Sequence, residues 1–362
     1  MDNHWYETLS KAAIAGELLP LDTYETLLID DRVEILSLLH EAFQVRKHFH
    51  GKEVTVHILN NVSNGLCSED CNYCAQSKSS TAEIIKYQEK SDAEIMAEAE
   101  QAYEAGAHRY CMVYAGRGKN IKRAAKIAKL VTSIKKKYPL EVCVSAGLMD
   151  EESTAMLKAA GLDRLNHNLN TSASRYGQIC TTHTFADRLN TLKAARQVGL
   201  EVCSGIIAGM GETPQELIEL AYMLRDLDAS SIPINFLLPI KGNKLVIPQN
   251  LSPRYCLKIL CLFRFMNPRA EIRTAAGREH HLRSLEVLSL YAANSLFMDG
   301  YLNTLGNSRK ETLQMIIDAG FTIKSNKSAE ELLLGEIDAT GEKTDKLPTI
   351  KTAVDLHPAR NS

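Results

Sequence analysis

The sequence predicts an α/β chain built as a TIM-type (β/α)8 barrel, with a helical extension before it and a short charged tail after it. Three observations carry this. Eight short runs rich in β-branched residues recur between residues 51 and 325. Each is separated from the next by an amphipathic helix with recognisable start and stop signals. The stretch is also about as long as such barrels need, typically ~250 residues. A doubly wound open sheet is the alternative, because periodicity alone does not close a barrel.

Residues 1–50 read as helices, with apolar patches at Ala12, Ala13, Ala15, Leu18 and Leu19 and again at Ile35, Leu36, Leu38, Leu39, Ala42 and Phe43. His48 and His50 read as ordinary helix-end residues rather than a metal pair. The first strand is Val54–Leu59. Ser91-x-x-Glu94 then supplies a capping box for a helix stopped by Gly106. Strand His108–Tyr114 leads to a helix over Ile121–Lys137 that keeps its lysines on the solvent side and ends at Tyr138-Pro139. Strands Glu141–Ala146, Arg164–His167 and Glu201–Ile207 follow, with helices ending at Gly161 and Gly199 between them. Thr213-Pro214-x-Glu216 opens another helix with proline at its first position. Strands Ser231–Leu237 and Glu271–Thr274 flank a helix over Pro253–Phe265, and a last helix over Leu282–Ala293 precedes the run Ser295–Met298. The expected domains are therefore an extension (1–50), the barrel (51–325) and a tail (326–362) with no periodicity, mobile or carrying a loosely docked helix near Ala329–Ile337.

Composition narrows the function. The chain has 362 residues, 45% hydrophobic and 24% charged, with a formal net charge of −2, so no basic field for nucleic acid or anionic lipid is present. The first residues carry neither a basic nor an apolar leader, and no apolar run reaches a membrane span. Nine cysteines without a secretory signal point to metal or redox chemistry in a reducing compartment, and the expected location is cytoplasmic.

The densest of those cysteines are Cys67, Cys71 and Cys74, three thiols within eight residues. Soft thiolates select zinc, copper(I) or iron–sulfur clusters. A structural zinc site is normally closed by four ligands, and no fourth Cys or His follows nearby. An incomplete zinc knuckle or buried thiols remain the bland alternative. Cys111, Cys143, Cys203 and Arg273 each sit within a predicted strand. Side chains alternate inward along barrel strands, so residues of four strands can meet at the centre. Taken singly, each buried Cys is more often a small hydrophobe. A buried Arg without a partner is costly, and anionic thiolate groups would supply one.

The Cys-x3-Cys-x2-Cys spacing, with Tyr73 before the last cysteine, resembles the radical S-adenosylmethionine (SAM) enzymes. Resemblance to the biotin synthases within that group rests on several further motifs. These are the strand residues Cys111, Cys143, Cys203 and Arg273, the segment Asn166-His167-Asn168-Leu169-Asn170-Thr171, Pro233-Ile234-Asn235, and Arg188 in Asp187-Arg188-Leu189. The resemblance runs from about Lys47 to Asn307.

It implies a 4Fe–4S cluster on Cys67, Cys71 and Cys74 whose open iron binds SAM, with the adenine against Tyr73. Asn168 and Asn170 would meet the SAM ribose and Arg188 would lie near its carboxylate. A 2Fe–2S cluster would be held by Cys111, Cys143, Cys203 and Arg273. The substrate would be dethiobiotin, its ureido ring facing Asn166 and Asn168, with Asn235 also binding it. The implied reaction abstracts hydrogen with a 5′-deoxyadenosyl radical and inserts sulfur from the second cluster, in a homodimer served by a one-electron donor such as flavodoxin or ferredoxin. In these enzymes Cys67, Cys71, Cys74 and Arg273 would carry the catalysis. Rival readings are a hydrogenase-cofactor maturase on the same scaffold and an iron–sulfur carrier without SAM chemistry. Asn303 departs from the family's Thr-Thr, which leaves the substrate carboxylate contact open there. Cys180, Cys256 and Cys261 match no ligand position, the last two reading as core. His280-His281 reads as a solvated helix start. The loop of Gly205, Gly209 and Gly211 has the wrong spacing for a dinucleotide fingerprint and resembles the family's SAM-site loop.

Overall fold

The computed structural model describes residues 1–118, 121–245, 248 and 250–340. Nine parallel strands make the barrel wall: β1 (Glu53–Asn61), β2 (Arg109–Val113), β3 (Glu141–Ser145), β4 (Arg164–Asn166), β5 (Glu201–Cys203), β6 (Ile206–Ala208), β7 (Ser231–Phe236), β8 (Glu271–Thr274) and β9 (Ser295–Phe297). They pair in chain order, and β1 also pairs with β9, which closes the sheet. The strands form eight staves because β5 and β6 are two halves of one.

The sequence reads that stave as continuous, and the break has a local cause. Its neighbour β7 carries Pro233, which has no N–H to give to the ladder. β5 therefore pairs with β7 only at Cys203 and Ser231, and pairing resumes at Ile206 and Ile234. Gly205 spans the gap: a Cβ there would sit 1.9 Å from the Pro233 carbonyl oxygen.

The barrel helices start where the capping chemistry sets them. In Asp92–Glu104, Ser91 accepts from the Glu94 amide (3.3 Å) and Glu94 accepts from the Ser91 amide (2.8 Å). The same reciprocal pair opens Phe185–Gln197 through Thr184 and Asp187, and Pro214–Asp226 through Thr213 and Glu216. Each such cap stabilises its helix by about 1 kcal/mol. Burial follows the apolar stripe: Ile127, Val131 and Ile134 of Ile121–Lys137 are fully buried, with the lysines outside. Helix Pro253–Met266 is the exception, buried nearly all round, because the N-terminal helices Asn3–Ala15, Leu21–Ile29 and Ile35–His50 pack over it. Cys256 and Cys261 are core residues of that helix.

Three features differ from the sequence expectations. The stretch read as one helix over Leu282–Ala293 is a short α-helix, Arg278–Leu282, followed by a 3-10 segment, Arg283–Tyr291. His281 is not solvated: it is buried, with Nε2 2.8 Å from the Leu237 carbonyl, while His280 is exposed. Beyond the barrel the chain adds helix Arg309–Asp318 and β10 (Thr322–Ile323), which pairs with the start of β1 outside the ring. Of the two readings of the tail's start, the docked helix is the one found: Ala329–Thr340, with Leu332 buried against Gly106 and Lys327 bonded to Glu104. The rest of the tail, 341–362, lies outside the described residues.

Candidate active site

The carboxyl ends of the strands open into a cavity of about 270 Å³. Its wall includes Cys67, Tyr73 and Cys74 from the loop after β1, Asn166, Asn168 and Asn170 after β4, and Arg188, Asn235 and Asn303. All the SAM and substrate residues expected from the sequence therefore face one space.

Five asparagines line that wall, and fixed hydrogen bonds orient each of them. Asn168 accepts from the Gly205 amide (3.1 Å) and from Asn166 Nδ2 (3.1 Å). Asn235 donates to the Ile206 carbonyl (2.9 Å) and accepts from the Ala276 amide (3.2 Å). Asn170 has φ +69°, a left-handed conformation that Asn tolerates better than most residues, and donates to the Tyr73 hydroxyl at 2.5 Å. Arg188 is held at Nη1 by the Asn168 carbonyl (2.8 Å) and at Nε by the Tyr176 hydroxyl. Asn303 is bonded to Asn64 in both directions (2.7 and 3.1 Å), which ties the loop after β9 to the loop after β1.

The loop thiols divide. Cys67 and Cys74 line the cavity, whereas Cys71 does not and packs instead against Cys180, Sγ to Sγ 3.7 Å. Burial raises Cys67, and raises Cys74 to about 11. The hydrogen bond from Cys71 holds Cys180 down to about 4, and Cys71 itself is raised by the same bond. Sequence reasoning missed Cys180 as a neighbour of the motif. Its one sequence-level signal is the Cys180-x-x-His183 spacing, since 109 residues separate the two thiols in the chain.

A second set of thiols lies one layer deeper. Cys111, Cys143 and Cys203 cluster with Ala275 and Phe297, and Tyr301 packs on them from the cavity side. Strand register places them. Cys111 pairs directly with Cys143, and each stands two residues below a cavity-lining residue of its own strand, Val113 and Ser145. Cys203 pairs with Asn166, whose Nδ2 lies 3.3 Å from its Sγ, so that amide joins the two layers. The hydrogen bond from Cys143 lowers Cys111, while Cys143 is raised to about 12 by the same contact and Cys203 is raised by its bond to Cys143.

Arg273 enters this layer from β8. Its Nε donates to Ser295 Oγ (3.0 Å), and Nη2 donates to Ser231 Oγ (2.9 Å) and to Glu271. Nη1 lies 3.8 Å from Cys203 Sγ. The sequence reading looks to the thiols for the partner of Arg273; the structure adds Glu271, two residues earlier on the same strand face, which carries the opposite charge. Glu271 also bonds Arg109 (3.1 Å), Arg164 (2.8 Å) and His57 (3.2 Å), forming a charged floor under the thiols. Burial works against the Arg273 charge, but Glu271 and Cys203 keep it firmly protonated.

Both thiol sets fit iron–sulfur chemistry by donor type. Each offers three soft sulfurs, although Cys71 of the upper set is turned toward Cys180, and the lower set adds the Arg273 guanidinium, whose Nη1 is directed at Cys203 Sγ. Cys67, Cys71 and Cys74 would hold a 4Fe–4S cluster, and Cys111, Cys143, Cys203 and Arg273 a 2Fe–2S cluster.

Comparisons with known proteins give the family. Residues 61–224 match the Radical SAM superfamily and residues 233–322 the Biotin and Thiamin Synthesis associated domain. The biotin synthase of Magnetococcus marinus is 54% identical over 87% of this chain and 98% of its own. That of Acaryochloris marina is 52% identical over 93% and 96%. Among solved structures, methylornithine synthase superposes with TM-score 0.75 at 22% identity over 89% of this chain and 98% of that one. The FeFe-hydrogenase maturase of Carboxydothermus hydrogenoformans gives 0.76 at 19% over 92% and 82%. These two likenesses are of fold alone. With the barrel, the two thiol layers and relatives at this identity over most of their length, the chain belongs to the biotin synthase family of radical SAM enzymes.

Proposed function

We propose that this chain inserts sulfur into dethiobiotin to make biotin, and that the two thiol layers divide the work. The observation that carries the reading is the order along the cavity: Cys67 and Cys74 share its wall with Asn166, Asn168 and Asn235, and Cys111 and Cys143 lie two residues deeper along their strands, with Cys203 beside Asn166. A substrate between the layers would have a hydrogen-abstracting group on one side and a sulfur source on the other. When bound, the 4Fe–4S cluster with SAM supplies a 5′-deoxyadenosyl radical, and the 2Fe–2S cluster supplies the sulfur. The substrate's unactivated C–H bonds make this the feasible chemistry, since no acid–base pair deprotonates them usefully near neutral pH.

The protein's own groups position and exclude. Tyr73 offers a ring face to adenine, its hydroxyl fixed by Asn170, and Asn168 and Asn170 supply amides for the ribose. Arg188 offers a guanidinium to the methionyl carboxylate. Asn166, Asn168 and Asn235 have orientations fixed by backbone and suit a neutral cyclic urea, whose carbonyl accepts and whose N–H groups donate. The Asn64–Asn303 clasp and Tyr301 narrow the opening, which protects reactive intermediates from water.

The family resemblance also supports a homodimer, a flavodoxin or ferredoxin as electron donor, and a cytoplasmic location. No helix among the described residues is long and apolar enough to cross a membrane. We infer the division into extension (1–50), barrel (51–325) and tail (326–362) from the closed ring of strands, although docking of Ala329–Thr340 joins the start of the tail to the barrel. The test is anaerobic reconstitution with iron and sulfide, then incubation with SAM, reductant and dethiobiotin. Biotin and 5′-deoxyadenosine should both form. Deoxyadenosine without biotin would favour another radical SAM reaction, and neither product would favour an electron carrier.

A further inference from the structure

Cys71, Cys180 and His183 place one ligand atom each within 4.8 Å of one another, and all three are buried. We propose that, in the protein without its loop cluster, these three side chains form a mononuclear site for a thiophilic divalent cation such as Fe²⁺ or Zn²⁺. The site shares Cys71 with the cluster, so the two occupancies exclude each other.

Two of the three ligand spacings match a coordination sphere, and the third lies within 4.8 Å. Tetrahedral coordination with metal–sulfur bonds of about 2.3 Å and metal–nitrogen bonds of about 2.05 Å puts two sulfurs about 3.8 Å apart and sulfur about 3.5 Å from nitrogen. Here Cys71 Sγ is 3.7 Å from Cys180 Sγ, and Cys180 Sγ is 3.3 Å from His183 Nδ1. The ligands come from two segments, one carrying Cys71 and the other Cys180 and His183, that hydrogen bonds from backbone amides hold against each other. Asp70 fixes the Cys180 turn by accepting from the amides of Thr181 (2.9 Å) and Thr182 (3.2 Å), while the amide of Asn72 donates to the Ile179 carbonyl (2.9 Å).

The surroundings also suit a cation. Asp70 Oδ1 lies 3.2 Å from Cys180 Sγ, and Glu69 Oε2, now 2.5 Å from His183 Nδ1, would release that hydrogen bond as the ring proton moves to Nε2, leaving a carboxylate beside the cation. His183 Nε2 is 2.9 Å from the Tyr176 hydroxyl, which would accept the ring proton once Nδ1 is bound to metal; a ligating histidine needs such an outer partner. Arg188 Nη2, also 2.9 Å from Nε2, would then turn away, while its Nη1 keeps the Asn168 carbonyl. Binding releases the thiol protons to solvent, with no change of oxidation state, and leaves the fourth position to water. The consequence is a holding site: it takes a single cation before cluster assembly and gives up Cys71 when the cluster forms.

The experiment titrates anaerobic, cluster-free full-length protein with Co²⁺ and follows thiolate-to-cobalt absorption. One equivalent should produce the band. Cys180→Ser and His183→Ala should each weaken binding at least tenfold, whereas Cys67→Ala and Cys111→Ala should leave it intact. A band that survives both Cys180→Ser and His183→Ala, or that disappears in Cys67→Ala, overturns the proposal by placing the ion in one of the thiol triads. Zinc-edge X-ray absorption on the wild-type protein needs no variant: two sulfurs and one imidazole are expected, and three sulfurs would refute the site. Assembly of the loop cluster with iron and sulfide should expel the bound Co²⁺, and cobalt retained beside a complete cluster would also refute it. None of these outcomes depends on biotin formation.

Discussion

The two thiol layers solve one problem, gathering three sulfurs, by opposite means. The upper layer is local in sequence and loose in structure: eight residues of loop supply Cys67, Cys71 and Cys74, yet only two of them face the cavity. The lower layer is scattered along the chain and fixed by hydrogen-bonded register, Cys111 opposite Cys143 and Cys203 opposite Asn166. A loop can rearrange around whatever binds it, whereas strand positions in a closed barrel hold their thiols whether or not a cluster is present. The site that must meet a mobile cosubstrate is on the adaptable element, and the site assigned to store sulfur is on the rigid one.

The contrast predicts a separation of functions. The largest effect should come from the loop. Cys67→Ala, Cys71→Ala or Cys74→Ala should reduce 5′-deoxyadenosine production to background, because the radical has no other source, while the core variants Cys256→Ser and Cys261→Ser retain it. Wild-type production from any loop variant would remove the upper layer from the mechanism.

Next come the strand thiols. Cys111→Ala, Cys143→Ala and Cys203→Ala should each make no biotin yet still bind SAM and cleave it slowly. The folding penalty should be only about 1 kcal/mol, an ordinary core truncation. Wild-type protein rebuilt with isotopically labelled sulfide should pass label into biotin in a single turnover, and unlabelled product would mean the lower layer has another task.

Arg273→Lys should have a partial effect. The charge that Glu271 neutralises is kept, but the planar fork that meets Ser231, Ser295 and Glu271 together is lost. Cluster assembly with an altered absorption spectrum and reduced activity is expected, whereas an unchanged spectrum would put Arg273 out of contact with the lower cluster.

The smallest effect distinguishes scaffold from site. Burial, reinforced by Arg264 and Arg46, depresses His50 to about 3 in the folded protein. Its unfolded value is near 6.5, so its contribution to stability is complete above that pH and is lost as pH falls from 6.5 toward 3. The slope is about 1.4 kcal/mol per pH unit for one proton. His50→Gln should flatten the urea-unfolding stability profile by one proton over that window without moving either cluster's spectrum. An unaltered slope would show that His50 is protonated in the folded chain.

Legibility from sequence follows the same division. Strands and helices of the barrel were readable because their signals are local: Ser91 with Glu94, Thr213-Pro214 with Glu216, Gly106 and Gly161 as stops. Helix Arg309–Asp318 also has a local signal in Ser308 and Glu311, but it falls after the eighth stave, where the alternation no longer points to it. The break at Gly205 was hidden because its cause, Pro233, sits on another strand. Glu271 escaped notice as the counter-ion of Arg273 even though the two are only two residues apart, since period-two spacing says that they share a face and not that they touch. The contacts of Glu271 with Arg109, Arg164 and His57, and of Cys180 with Cys71, join segments far apart in the chain, and no local pattern announces them.

The charged floor has a consequence for supply. Arg109, Arg273, His57 and Glu271 are all buried, and their mutual bonds close the amino-terminal end of the barrel beneath the strand thiols. The cavity side is the open approach to the lower layer, and Tyr301 stands on it. Under the proposed function, refuelling and turnover would then share that doorway, and a spent protein would have to empty before being recharged from it.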